Sequence, residues 1–176
     1  MRKAFLLAIV VAACSDATGP TKSVMTALVN GNRFNGTPLT ASTLGILDTS
    51  TKSLAIIGIQ AISPEMSENV VLTLRDFHGA GQYETCGTVS SMFGLYERVD
   101  ALDTMPTPVY TTDTACGGMV DVQSYFPATM LITGTFHFSG TSLAAPDTVH
   151  VTDGQFSGMI RLTGFILDPP SPPAKR

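Results

Sequence analysis

Cys86 and Cys116 carry reactive thiols. Their role depends on how far they lie in sequence from other cysteines and from histidines. Thiols form disulfides in an oxidising compartment, and they bind metal when they occur in patterns such as C-x-x-C or near histidines. Neither cysteine has such a neighbour, and the acidic residues form no D-x-D-x-D-G calcium loop. The sequence therefore predicts one disulfide that closes a loop of about thirty residues, and no cofactor. A reactive or metal-binding thiol pair is the alternative.

The segment GTSLAAP at residues 140–146 contains a candidate nucleophile, Ser142. Nucleophilic catalysis would require a histidine to activate this hydroxyl and a carboxylate to orient the imidazole, and His78 and Asp48 precede it in that order. The segment resembles the nucleophile motif G-T-S-x-A-x-P of subtilisin-like serine proteases. Those enzymes have a parallel α/β sheet, whereas this chain is too short and has no crossover helices. We therefore interpret residues 140–146 as a loop of small residues between two strands.

The remaining candidate side chains are histidines and tyrosines. His137 lies between two phenylalanines, and His150 lies between two valines. Successive side chains of a strand point to opposite faces, so we expect both histidines to face solvent rather than bind a ligand. The four tyrosines could line a groove, although tyrosine is equally common in any strand; they are Tyr83, Tyr96, Tyr110 and Tyr125. No residue is predicted to be catalytic, and the chain is interpreted as a non-enzyme.

The N-terminus predicts where the protein works. Arg2 and Lys3 precede ten apolar residues that end in small ones before Cys14, which is the order of a secretory signal. A helix of that length spans about 15 Å, well short of a ~30 Å hydrocarbon core. VAAC at residues 11–14 resembles the lipobox of bacterial lipoproteins, which implies a lipid on Cys14 and a stable membrane anchor. Ser15 follows in place of an aspartate, which favours the outer membrane.

Composition limits the organisation of the rest of the chain. Residues 1–13 are predicted to be a signal peptide, 14–23 a lipidated tether, 24–167 a single domain, and 168–176 a Pro-rich disordered tail. Charged residues make up 14% of the chain, against about 25% in typical domains. With 16 glycines and 11 prolines, the composition is typical of short strands joined by tight turns. The net charge of −4 without a basic cluster argues against nucleic acid as a partner.

Strand-like segments follow one another at spacings of roughly 8–12 residues, and none shows sustained helical periodicity. Residues 69–75 alternate between apolar and polar, while residues 52–60 are apolar enough for a strand buried on both faces, with Gly58 as a candidate bulge. The Asn-Gly at residues 30–31 and the Asp-Gly at residues 153–154 are typical of hairpin turns. We therefore expect an all-β domain of about ten strands, either an antiparallel β-sandwich or a meandering barrel-like sheet.

The order of these segments resembles an uncharacterised group of bacterial lipoproteins that is classed as a domain of unknown function. The elements that carry the resemblance are TALVNGNRFNG, LAIIGIQ, VVLTLRD, GAGQYE, GGMVDV, ITGTFHFSG and VHVTDGQFSGM. They cover residues 24–163 and imply a β-rich, membrane-tethered, extracytoplasmic domain. The chain departs from the group in having no tryptophan. No catalytic residue carries over from the resemblance.

Together these patterns predict a lipid-anchored, non-enzymatic binding or interaction module whose partner is a protein or a small molecule. The alternatives are a purely structural envelope lipoprotein or assembly subunit, and a hydrolase with an unrecognised site. The predicted presenting surface consists of residues 100–108 and the region between Cys86 and Cys116, because they contain the longest sequence that is not predicted to form strands. Loops of this kind commonly carry binding residues.

Overall fold

Eleven β-strands make up the part of the chain that this computed structural model describes, namely residues 23–40, 42–86, 91–102, 107–112 and 115–163. The predicted all-β class is confirmed. None of the described residues forms a helix that could cross a membrane. The predicted signal peptide, Cys14 and the predicted tail lie outside the described residues. The strands are β1 (Val24–Val29), β2 (Asn32–Pro38), β3 (Thr43–Asp48), β4 (Ser53–Ala61), β5 (Met66–Leu74), β6 (Gly81–Cys86), β7 (Met92–Asp100), β8 (Val109–Thr112), β9 (Ala115–Phe126), β10 (Leu131–Thr141) and β11 (Thr148–Thr163).

The strands form one sheet that closes on itself. Its order is β2-β1-β11-β3-β4-β5-β7-β8-β10-β9-β6, and the further pairings β2–β4 and β11–β10 join strands that are distant in this order. A closed, barrel-like ring therefore runs from β11 through β3, β4, β5, β7, β8 and β10 back to β11. Closure gives most strands a hydrogen-bonded neighbour on both sides.

One pairing departs from the predicted all-antiparallel sheet, because β11 and β3 are parallel. The cause is the connection between β2 and β3. Both strands pair with β4, β2 at Gly58 and Ile59 and β3 from Ser53 to Ile56. The chain bends after Pro38 but does not reverse, so β3 continues in the direction of β2. Both strands therefore run in the direction of β11.

The inside of the ring is filled with apolar side chains. Val70, Leu72 and Leu74 face inward from β5, as the alternation predicted. Aromatic rings fill much of the centre, and the buried ones include Phe34, Tyr83, Phe136, Phe138 and Phe156. The inward faces of the sheet therefore meet in one packed apolar core.

The predicted hairpin at residues 153–154 is wrong, because β11 continues through both of them. The residue pairing with β10 shifts by one between Phe136 and Phe138, so two residues of β11 lie opposite His137 alone. Asp153 has φ of 51° at this β-bulge, a conformation that aspartate tolerates better than most residues. The Asp-Gly signal thus marks a bulge and not a chain reversal.

β4 is buried on one face only, which corrects the prediction for residues 52–60. Leu54, Ile56 and Gly58 face inward, whereas Ile57 and Ile59 are half-buried on the outside. Gly58 is no bulge either, because its pairing with β5 is regular. A Cβ there would lie 2.7 Å from Sδ of Met25, so close packing accounts for the glycine.

The outer surface of the ring has two different faces. Neighbouring strands β3, β4, β5 and β7 carry a set of half-buried apolar side chains, which we call the apolar strand face: Ile46, Ala55, Ile57, Ile59, Val71, Phe93 and Leu95. Across β2, β1, β11, β10, β9 and β6, paired positions instead form a polar row of Asn35, Thr26, Gln155, Thr135, Asp121 and Gln82. No described residue covers the apolar strand face, and contiguous apolar surface of this kind commonly marks an interaction site.

The two ends of the ring also differ. At one, which we call the terminal end, both ends of the described domain are hydrogen-bonded to connecting loops. The Ser23 hydroxyl donates to the Ser42 carbonyl at 2.9 Å, and the Thr163 carbonyl accepts the Thr49 amide at 3.1 Å. The opposite, loop end contains the connections β1–β2, β4–β5, β7–β8 and β10–β11. Residues from all four connections or their flanking strands line one groove there.

Candidate functional site

The loop-end groove is an open depression of about 430 Å³. It lies where β5 and β8 begin and where β7 ends, so its walls come from segments distant in sequence. Part of the predicted presenting surface, Thr107 and Pro108, contributes to it. The groove is lined by Asn30, Met66, Tyr96, Arg98, Asp100, Thr107, Pro108, Tyr110, Asp147 and Val149.

Two tyrosines form the floor of this groove. Tyr96 on β7 and Tyr110 on β8 are register partners, and their ring centroids are 6.1 Å apart. Burial raises the pKa of Tyr96 far above its usual range, and the nearby carboxylate of Glu68 adds to the effect. Burial and the Asp147 carboxylate raise the pKa of Tyr110. Both hydroxyls therefore stay protonated at neutral pH and act as hydrogen-bond donors.

The carboxylates of the groove keep acceptor capacity. The Tyr110 hydroxyl donates to Oδ1 of Asp147 at 2.9 Å, and the Leu102 amide donates to Oδ1 of Asp100 at 3.0 Å. A carboxylate offers about four lone-pair sites, so each aspartate can accept further bonds. Arg98 directs Nε and Nη2 at Sδ of Met66, at 3.1 and 2.7 Å.

A second depression, which we call the side groove, adjoins the first at Thr107. Its volume is about 540 Å³, and its walls are Thr107, Val109, Thr111, Thr141, Ser142, Leu143 and Ala144. Apolar side chains are unusually exposed here, because Leu143 is fully exposed and Val109 is 39% exposed. Leu102 and Ile62, in the β7–β8 and β4–β5 connections, are also exposed at this end.

The structure does not bring Ser142, His78 and Asp48 together. Ser142 follows β10 at the loop end and lines the side groove. His78 and Asp48 lie at the terminal end, where the Phe77 amide donates to the Lys52 carbonyl at 2.7 Å. The Asp48 carboxylate accepts bonds from Ser50 within its own turn. These bonds lower the pKa of Asp48. Residues 142–146 lie in a connection between two strands, as expected, whereas residues 140–141 still belong to β10.

Both predicted surface histidines are exposed, and their apolar neighbours are buried. Nδ1 of His150 lies 2.9 Å from the Ser139 hydroxyl, and the His150 amide donates to Oδ1 of Asn30 at 2.8 Å. Within the described residues, no group of three or more histidine, cysteine, aspartate or glutamate side chains could hold a metal ion.

The two predicted disulfide partners lie on paired strands. Cys86 ends β6 and Cys116 lies near the start of β9, and the register places Cys86 opposite Ala115. The backbone positions of the cysteines are thus neighbours across the sheet. The bond between their sulfur atoms stays a prediction.

Sequence reasoning found only part of the site. Of the four tyrosines, Tyr96 and Tyr110 line the groove, whereas Tyr83 and Tyr125 pack against Phe77 at the other end. Met66, Arg98 and Asp147 were not predicted as site residues. They meet only after four connections converge, and no local motif in the sequence marks that convergence.

No protein-family model matches the chain, and neither the curated proteins nor the solved structures include a significant match to it. The likeness to uncharacterised lipoproteins thus remains an expectation from the order of short elements.

Proposed function

We propose that this chain is an extracytoplasmic lipoprotein, anchored in the outer membrane through Cys14, whose domain acts as a non-enzymatic interaction module. The observation that carries the proposal is the opposition of the two ends of the ring. Ser23, the first described residue, and Thr163, the last, both lie at the terminal end. The two grooves and the exposed apolar loop side chains lie at the other end.

This arrangement suits a tethered binding domain. A tether that enters at the terminal end directs the loop end away from the membrane, where a partner can reach it. The eight residues between Cys14 and Ser23 would span at most roughly 30 Å when extended, so the domain stays close to the bilayer. Two acyl chains or more would make such anchoring stable.

The charges support the same orientation. At the terminal end, Lys52, Arg75 and Arg161 outnumber Asp48 and Asp76 among the described residues. Cationic groups next to an anionic membrane surface each contribute about 1 kcal/mol. Carboxylates predominate at the loop end, so the terminal end is the more favourable one to face lipid headgroups.

The anchor is tested by producing the full chain in a bacterial host and measuring the mass of the mature N-terminus. We expect cleavage before Cys14 and a diacylglyceryl and N-acyl modification on that residue. A Cys14→Ser variant should leave the membrane fraction, whereas a Cys86→Ser variant should remain there. An intact segment 1–13 on the wild-type protein would contradict the proposal.

The orientation is tested separately, on the lipidated chain in vesicles. A fluorophore attached at Leu143→Cys should be accessible to a soluble quencher and insensitive to a lipid-attached quencher. The matched position at the terminal end, Thr49→Cys, should show the opposite pattern. Equal quenching at both positions would contradict the proposed orientation.

A second candidate function, a structural assembly subunit, is favoured by the apolar strand face. Seven apolar side chains contiguous across four strands resemble a surface that packs against another protein. The test is the oligomeric state of the purified chain by sedimentation. Ile57→Lys should shift the chain towards the monomer if this face assembles, whereas Thr135→Lys on the polar row should have no effect.

A further inference from the structure

We propose that the loop-end groove binds an extended cationic peptide segment. A lysine or arginine side chain would lie between Asp100 and Asp147, and a nearby apolar side chain would occupy the side groove. This inference rests on the proposed function and specifies the chemistry of the partner.

The carboxylates supply the first part of the argument. Asp100 and Asp147 both line the groove, and each has one oxygen engaged in a bond from a neighbouring donor. Among the described residues no basic side chain forms an ion pair with either aspartate, and Arg98, the basic residue that lines the groove, directs Nε and Nη2 at Met66. Charge-assisted bonds from an ammonium or guanidinium group would satisfy the remaining lone pairs of the two carboxylates.

The charged residues around the groove determine whether a positively or a negatively charged partner is favoured. Glu65 and Glu68 lie in or just after the β4–β5 connection, next to Met66 in the groove wall. Together with Asp100 and Asp147 they place four carboxylates at this end against two guanidinium groups, those of Arg98 in the groove and of Arg33 near the start of β2. An anionic segment would meet like charges here, whereas a cationic one is attracted and steered towards the groove.

The shape selects an extended peptide over a compact cation. The loop-end groove and the side groove adjoin at Thr107, so a chain that leaves the carboxylates passes directly to Val109 and Leu143. In an extended peptide every second side chain lies on the same side, about 6–7 Å from the last, so the side chains of residues i and i+2 can enter the two adjoining depressions. Burial of the exposed Leu143 side chain would add hydrophobic stabilisation.

The test uses the full mature chain in a non-ionic detergent and fluorescence anisotropy of a labelled serine-based peptide containing lysine and leucine. We expect this peptide to bind, with an affinity that falls as salt is added. The same peptide with glutamate in place of lysine should not bind. A peptide that keeps lysine but replaces leucine by serine should bind more weakly.

Matched variants locate the binding. Asp100→Asn together with Asp147→Asn should weaken binding roughly fivefold or more, the effect of losing two partly exposed charge pairs. Both substitutions keep an oxygen acceptor for the Leu102 and Tyr110 donors. Asp76→Asn with Asp153→Asn changes the net charge equally away from the groove, and both positions have positive φ that asparagine tolerates. Binding should be unchanged in this control.

Equal weakening in the two double variants would overturn the inference, as would equal binding of the glutamate peptide. Failure here is distinguishable from failure of the proposed function. A chain that carries lipid on Cys14 but does not bind the lysine peptide contradicts only the cationic partner. A chain that binds this peptide but carries no lipid contradicts only the anchor.

Discussion

The ring of Phe156 occupies the space that a side chain at position 134 would need. Phe156 on β11 is the register partner of Gly134 on β10. At the next pair of inward-facing positions the phenylalanine is on β10 and the glycine on β11, with Phe136 opposite Gly154. The two rings lie 6.3 Å apart between centroids. A Cβ at Gly154 would lie 2.6 Å from the Phe136 ring. Glycine and phenylalanine thus alternate across the two strands, which leaves room for the large phenyl groups inside the closed sheet.

We therefore predict that Gly134→Ala destabilises the domain by about 1–3 kcal/mol, the usual cost of overpacking a core. Urea unfolding followed by circular dichroism measures the change. Gly117→Ala is the matched control, because a Cβ there would meet nothing closer than 3.5 Å. A wild-type midpoint for Gly134→Ala would contradict the packing described for Phe156.

The predicted disulfide between Cys86 and Cys116 should stabilise the domain by about 3 kcal/mol, since it closes a loop of roughly thirty residues in the unfolded chain. Peptide mapping of the non-reduced protein should recover the linked pair. The double variant Cys86→Ser/Cys116→Ser should unfold at lower urea concentration, and a reducing agent should have the same effect on wild type. Free thiols at both positions in protein exported by its host would refute the bond.

Alkaline pH should destabilise the domain through Tyr96. Its pKa is raised in the folded state, mainly by burial, so folding favours the protonated phenol. This contribution is fully present below pH 10.0, the ordinary value, and is lost as the pH rises above it. The tyrosinate absorbance should appear at higher pH in the folded than in the unfolded chain. Tyr96→Phe should reduce that difference and flatten the alkaline decline in Tm, and unchanged curves would contradict the assignment.

The bulge at Asp153 gives a test of the backbone. A β-branched residue at φ of 51° is strained, so Asp153→Val should cost about 1–2 kcal/mol. Asp153→Asn should be nearly neutral, because asparagine tolerates this conformation. Thermal unfolding compares the two variants. If they proved equally stable, the positive φ at this position would be in error.

The alternation of apolar residues was enough to predict most strands. In β10, and in β5 from Val70 onward, every second side chain is buried, and the predicted segments overlap the observed ones. Patterns of this kind encode which face is buried, but they contain no information about which strands pair. The parallel neighbours β3 and β11 could not be predicted, because they depend on the chain's failure to reverse after Pro38.

Short sequence motifs gave wrong predictions where the same residues suit two different backbone structures. An Asp-Gly pair suits a hairpin turn and a bulge equally well, and only the continuous partner strand β10 decides between them. The groove was missed for a related reason. Asp147 and Tyr110 are joined by a hydrogen bond although 37 positions separate them in sequence, and neither has an unusual local context.

The position of β11 has a consequence for biogenesis. This last strand pairs with β1, β3 and β10. Its contacts are distant in sequence, since the Met159 amide on β11 donates to the hydroxyl of Ser23, 136 positions away. Until this strand has been synthesised, three strands have exposed edges and the apolar interior stays open to water. Such long-range closure is intrinsically slow. The native core is therefore completed only after nearly the whole described domain has been made, and on the export route proposed above the polypeptide would cross the membrane before its core has formed.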